Sequence, residues 1–137
     1  MSKFLNDRKE NLRRIAHISK LFNDNENHVI ASFVSPTNKM RDMIKWIIGK
    51  ENFRLVYLDC SLEECENRDV KGMYREAREG KREGFTGLDS VFEIPEETDI
   101  VLNTETKDID ECVENIIKKL FESNLEKNIG ILQESKI

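Results

Sequence analysis

Three short runs constrain this chain more than any other feature: His28–Val34, Phe53–Cys60 and Asp99–Asn103 are apolar or β-branched almost throughout. A strand exposed on one face alternates apolar and polar side chains, whereas one covered on both faces does not. Runs of this kind belong to parallel sheets, whose crossover connections lay helices over both faces. Helical patterns do separate the runs. Asp7, with Glu10 three residues on, reads as a capped helix start, and Leu12, Ile15, Ala16, Ser19 and Phe22 then share one face, giving a helix over 7–23. A second helix is predicted over 38–48, with Met40, Met43, Ile44 and Ile47 or Ile48 inward and Gly49 as its stop. Ser61 caps a third that runs to about Arg68. Asp108, with Glu111, caps a last helix carrying an apolar stripe of Ile109, Cys112, Val113, Ile116, Ile117, Leu120 and Phe121. The fold class is therefore α/β with a parallel sheet, and three strands are few for such a sheet.

The remaining composition narrows the class. The 137 residues suit one domain, with 1–121 as its body and 122–137 as a frayed tail. A net charge of −5 argues against a nucleic-acid partner, which calls for a basic excess or stripe. No apolar run is long enough to span a bilayer, and Met1–Phe4 lacks a signal core, so a cytoplasmic, membrane-free protein is expected. Cys60, Cys65 and Cys112 are odd in number and form no CxxC pair, which predicts reduced, mostly buried thiols. Two histidines without ligand spacing predict no protein-held metal.

In open α/β sheets, ligands sit beyond the carboxyl ends of the strands. Ser35-Pro36 lies at one such end and Asp59-Cys60-Ser61 at another. Soon after comes a stretch, 71–89, in which Lys71, Arg75, Arg78, Lys81 and Arg82 are interleaved with Gly72, Gly80, Gly84 and Gly87. It reads as a mobile basic flap over an anionic ligand, or else as a plain solvated loop. Arg8 and Asn11, at i and i+3, share a helix face, an arrangement equally compatible with surface decoration.

Four ordered segments carry a family resemblance. Asp7-Arg8-Lys9-Glu10-Asn11-Leu12-Arg13-Arg14-Ile15-Ala16 is similar to the DR-x-EN-x-RRIA segment of adenylylsulfate kinases, and Ser32-Phe33-Val34-Ser35-Pro36 to their SFISP segment. Arg68-Asp69-Val70-Lys71-Gly72-Met73-Tyr74 resembles RD-(P/V)-KG-(L/M)-Y, and Gly84-Phe85-Thr86-Gly87-Leu88-Asp89 resembles GFTGID. The resemblance implies a P-loop kinase fold and transfer of the terminal phosphoryl of MgATP, the co-substrate, to the 3′-hydroxyl of adenosine 5′-phosphosulfate. By motif position, Arg8, Asn11, Val34, Ser35, Lys71, Gly84 and Phe85 would bind that acceptor, with Phe85 stacking on adenine. Ser35 occupies the family's phosphoserine position. In-line phosphoryl transfer needs positioning and charge neutralisation more than a covalent serine, so Ser35 is read as an acceptor contact. Arg68 would face the ATP side. Phe4 matches a second stacking phenylalanine, one residue closer to Arg8 than the family spacing.

The family's first two strands and its phosphate loop have no counterpart: G-x-x-x-x-G-K-S/T occurs nowhere in the chain. That loop's amides, lysine and hydroxyl hold the ATP phosphates and Mg²⁺. In this fold family the missing first strand lies between the strands predicted at 28–34 and 53–60. Its absence predicts unpaired strand edges, marginal stability and no turnover by this chain alone, and leaves room for a homodimer or complementing chain to supply the strands. Two other readings stay open: a non-catalytic nucleotide-binding or regulatory fragment, and a related kinase acting on another small phosphoester.

Overall fold

The computed structural model describes residues 3–120. In chain order they form α1 (Lys3–Asn23), α2 (Asn38–Ile48), β1 (Val56–Asp59), α3 (Leu62–Arg68), α4 (Met73–Arg78) and β2 (Ile100–Asn103). A further helix, α5, covers 109–120. β1 and β2 run parallel in direct register, Val56 opposite Ile100 and Asp59 opposite Asn103. The connection between them passes through α3 and α4, as a parallel pair requires.

The first of the three apolar runs is not a strand. Residues 27–36 carry no regular secondary structure, and every residue from 28 to 34 is exposed, Ile30 to 98%. The reason is main-chain pairing. An extended segment becomes a strand only when a neighbour takes its N–H and C=O groups, and among the described residues β1 pairs with β2 alone. The strand predicted over Phe53–Cys60 is correspondingly shorter, at Val56–Asp59, whereas that predicted over Asp99–Asn103 forms almost as expected.

The helices follow their caps closely. The Thr37 hydroxyl accepts from the Met40 amide at 3.3 Å to start α2, and the Gly49 amide closes its far end on the Lys45 carbonyl at 3.0 Å. The Ser61 hydroxyl accepts from the Glu64 amide at 3.2 Å to start α3. Asp108 and Glu111 bond reciprocally, amide to carboxylate, at 2.9 and 3.0 Å, a full capping box for α5. α1 departs from expectation. It begins at Lys3 rather than Asp7, because Lys3–Asn6 contains no breaker and Phe4 gains a packing partner, the 84–86 turn described below.

The core has two parts. Leu12, Ala16 and Ser19 of α1 are buried with Met40, Arg41 and Ile47 of α2, and these two helices pack together. Ile100 and Leu102 form the buried face of β2. Residues 93–97 fasten the helix pair to the strand pair. Glu93 Oε2 accepts from the Asn38 amide at 2.6 Å, the Glu93 carbonyl accepts from Arg41 Nη2 at 2.5 Å, and Glu97 pairs with Lys45 at 2.8 Å. The Arg41 guanidinium also lies 5.5 Å over the Phe92 ring, which stacks on Tyr57 at 6.3 Å. A buried arginine on α2 was outside the apolar pattern used to predict its inner face.

The α5 stripe is partly exposed, with Ile109, Val113 and Ile117 at 81%, 45% and 51% and Cys112 and Ile116 half-buried. One further expectation is corrected. The three cysteines are free but only half-buried, not mostly buried. Phe121 and the tail placed at 122–137 lie outside the described residues.

The exposures predict opposite responses to two substitutions. Leu102→Ala should cost about 2–5 kcal/mol, the range for emptying a buried leucine site. Ile30→Ser should leave stability within about 0.5 kcal/mol. Urea unfolding midpoints of the two variants check both.

Candidate acceptor site

The first part of the site is the opening turn pair of α1. Arg8 is half-buried there, and its Nη1 donates to the hydroxyl of Thr86. Asn11 follows one turn on, exposed, on the same face. Phe4, one turn before Arg8, lies against Gly84: a Cβ on Gly84 would come within 2.9 Å of the Phe4 ring. The backbone there has φ +68°, a second reason for glycine. Helix α1 thus meets the GFTGLD segment at two points.

That segment is a closed turn. The amides of Leu88, Asp89 and Ser90 all converge on the Phe85 carbonyl, at 3.2, 3.2 and 3.1 Å, and the Gly87 amide donates to the Ser90 carbonyl at 2.8 Å. Asp89 Oδ2 reaches back to accept from the Gly84 amide at 2.9 Å. Phe85 is half-buried, and the Tyr74 ring meets it edge-on, centroids 4.8 Å apart at 67°. Tyr74 is itself anchored. Its amide and that of Arg75 donate to the two carboxylate oxygens of Asp69, each at 3.0 Å, capping the short helix α4. Burial is the largest influence on the Asp69 carboxyl and works to raise it. The amide donors and the nearby Arg75 charge outweigh burial and hold it below its ordinary value.

The basic stretch 71–89 contains α4 followed by a bonded turn. Its charge is also largely neutralised. Arg78 pairs with Glu66 at 2.5 Å, Lys81 with Glu79 at 2.5 Å and Arg82 with Glu76 at 2.8 Å. Lys71 and Arg75 make no ion pair among the described residues. Sequence composition counts cations and cannot show which carboxylates face them. Lys71, the one cation here with a predicted ligand role, is exposed.

The other predicted positions are more scattered. Val34 is 53% exposed. Ser35 is half-buried, ahead of buried Pro36, whose carbonyl accepts from the Glu93 amide at 2.8 Å. Arg68 is engaged by its own neighbours: Nε donates to Glu64 at 2.7 Å and Nη2 to the Thr104 carbonyl at 2.7 Å. It braces α3 against the end of β2. The bond from Arg8 to Thr86 ties Arg8 to the turn that holds Gly84 and Phe85, and no hydrogen bond among the described residues links Val34, Ser35, Lys71 or Arg68 to that turn. Thr86, Asp89 and Tyr74 had no assigned role, although all three lie within the segments that carried the family resemblance. Their position inside those segments was the available signal.

Among the described residues no group of His, Cys, Asp and Glu could hold a metal ion, and no helix is long and apolar enough to cross a membrane. An open hollow of about 510 Å³ lined by Lys45, Lys50, Phe53 and Asp99 lies at the opposite, amino end of the strands.

The adenylylsulphate kinase family profile matches residues 2–103. The adenylyl-sulfate kinase of Bacteroides thetaiotaomicron is 46% identical over 115 residues, covering 84% of this chain and 57% of its own. That of Prochlorococcus marinus is 44% identical over 121 residues, covering 88% and 60%. The chain thus spans somewhat over half the length of these relatives. Among solved structures, the Mycobacterium tuberculosis APS kinase in complex with AMPPNP and APS superposes with a TM-score of 0.82. It is 34% identical, over 88% of this chain and 70% of that one.

Packing around Phe85 has a titratable reporter. Burial first, then a bond to Cys65, push the Tyr74 phenol up to about 12. A group raised on folding stabilises the fold fully below its unfolded value near 10, and that contribution is lost as pH rises through about 12. With only two tyrosines in the chain, Tyr57→Phe leaves Tyr74 as the sole phenol. Its phenolate absorbance should titrate well above 10, and a midpoint at the ordinary value would show an unpacked ring.

Proposed function

Because this chain belongs to the adenylylsulfate kinase family, with the P-loop kinase fold of that family, we propose that it provides the acceptor side of an adenylylsulfate kinase. The reaction in view moves the terminal phosphoryl of MgATP to the 3′-hydroxyl of adenosine 5′-phosphosulfate. One observation carries the reading: Arg8 of α1 converges on the turn that holds Gly84 and Phe85, so an anion donor and an aromatic face stand side by side. This is the pairing that a nucleotide with an anionic 5′-substituent needs.

The chemistry of each residue follows from its type. The guanidinium of Arg8 offers a planar fork to phosphate or sulfate oxygens, and Asn11 on the same face adds amide donors. Phe85 presents a ring for the adenine, held at its edge by Tyr74. Lys71 is free to add a point charge, and the main chain at Val34 and Ser35 completes the pocket wall. The Ser35 hydroxyl serves as a contact to the acceptor and carries no phosphoryl group. Arg68 braces α3 and β2 in the resting chain and approaches the ATP side only if released. The MgATP seat lies outside these residues. A longer polypeptide or a complementing chain would provide the phosphate loop, and either of these or a second copy would provide the strand that the exposed 28–34 segment and the outer edge of β1 both lack among the described residues. Three free thiols suit a reducing compartment, the cytoplasm.

A second reading has an observation in its favour. The chain retains the acceptor-side segments and contains no G-x-x-x-x-G-K-S/T, which suits a non-catalytic fragment that binds the acceptor without turnover. The two readings part when the phosphate loop is restored.

Calorimetry on the chain should show binding of adenosine 5′-phosphosulfate and none of MgATP, and a coupled assay should show no 3′-phosphorylation. Arg8→Ala should weaken acceptor binding by about 1.5–3 kcal/mol, the worth of a charged hydrogen bond. Phe85→Ala should cost about 1–3 kcal/mol, the worth of one stacked base. Fusing a phosphate-loop segment from a relative should restore turnover if the chain is kinase-derived. Turnover by the unfused chain at rates ordinary for a kinase would refute the division of labour.

A further inference from the structure

The Arg8–Thr86 contact joins two elements that are far apart in sequence, and the surroundings of Thr86 decide what it can do. A hydroxyl on a loose loop would follow the arginine wherever it went. This one cannot, because the turn is pinned on three sides. Asp89 holds the Gly84 amide at 2.9 Å, three amides close on the Phe85 carbonyl, and the Tyr74 edge fixes the Phe85 ring at 4.8 Å. Phe4 fills the space over Gly84, where a Cβ would clash. Thr86 Oγ1 is thus a fixed acceptor and Arg8 the movable partner.

We propose that Thr86 is a positioning residue: its hydroxyl holds the Arg8 guanidinium beside the Phe85 turn, ready to receive the anionic group of the nucleotide. The inference rests on the acceptor-site reading of the previous subsection and adds to it a residue that touches no reacting atom. An arginine side chain has considerable rotamer freedom, and fixing it before the ligand arrives removes that cost from binding. One bond to Thr86 uses only one of the five N–H donors of the fork, so the others remain for phosphate or sulfate oxygens. The hydroxyl therefore orients the arginine without competing for its ligand. The same bond couples α1 to the turn, so that the anion contact and the adenine contact move together.

The test uses the full chain and three variants, Thr86→Val, Thr86→Ser and Arg8→Ala, with adenosine 5′-phosphosulfate and adenosine as probes. Thr86→Val should weaken adenosine 5′-phosphosulfate about five- to tenfold, the effect of one hydrogen bond, and leave adenosine unchanged. Thr86→Ser, which keeps the hydroxyl, should restore affinity to within about twofold. Hydrogen exchange without ligand should speed up at the 84–90 amides equally in Thr86→Val and Arg8→Ala, since each removes one end of the same bond. Unchanged binding of adenosine 5′-phosphosulfate by Thr86→Val overturns the proposal. An equal loss for adenosine also overturns it, because that is the mark of a collapsed turn. If the wild-type chain binds no adenosine 5′-phosphosulfate, the acceptor-site reading fails instead. The exchange data then decide the clasp: faster exchange in both variants supports it and unaltered exchange overturns it.

Discussion

A β-strand exists only where a neighbouring main chain takes up its hydrogen bonds, and among the described residues that condition is met once, between Val56–Asp59 and Ile100–Asn103. Most of the structure follows from that single pairing. The parallel direction forces the intervening chain into a long crossover, which holds α3, α4 and the turn at 84–90. Among the described residues the outer edge of β1 has no partner, and the equally apolar segment 28–34 is exposed rather than lying in the sheet. With so thin a sheet, the α1–α2 pair cannot rest on a broad apolar surface. The 93–97 segment joins the two parts largely through polar bonds to Asn38, Arg41 and Lys45.

This division makes the site's position intelligible. The contacts between α1 and the crossover fall where α1 begins, at Phe4 against Gly84 and Arg8 against Thr86. One contact is apolar and depends on a glycine with positive φ; the other is polar and depends on a hydroxyl. They bring a guanidinium and an aromatic ring together from distant parts of the chain. The cations of 75–82 contribute less than their number suggests, since three of them already face carboxylates on α3, on α4 or just after it. Exposed pairs of that kind add little stability, but they lower the net positive field over the site.

Local signals in the sequence translated well into structure. Ser61 and Asp108 cap the helices that follow them and Gly49 ends α2, as their positions predict, because a cap needs only neighbours within a turn. The start of α1 was misplaced for a non-local reason: packing of Phe4 against Gly84 carries the helix past the Asp7 cap signal. The strand at 28–34 failed for a similar reason, since its side chains satisfy the pattern but its main chain has nothing to pair with. Of the site, Arg8, Gly84 and Phe85 could be read from the motifs. Thr86, Asp89 and Tyr74 stood in the same motifs, but their tasks consist of contacts across the turn, which spacing along the chain does not reveal.

By itself the sequence determined the family, the parallel α/β class and the caps, and it nominated the residues of the candidate acceptor site, all from order along the chain or chemistry within one turn. Tertiary structure alone decided which apolar run is a strand, which basic side chains remain unpaired and which hydroxyl meets Arg8. Each of these depends on a partner supplied from a distant part of the chain, and a hydrogen bond or ion pair exists only when both partners are within reach.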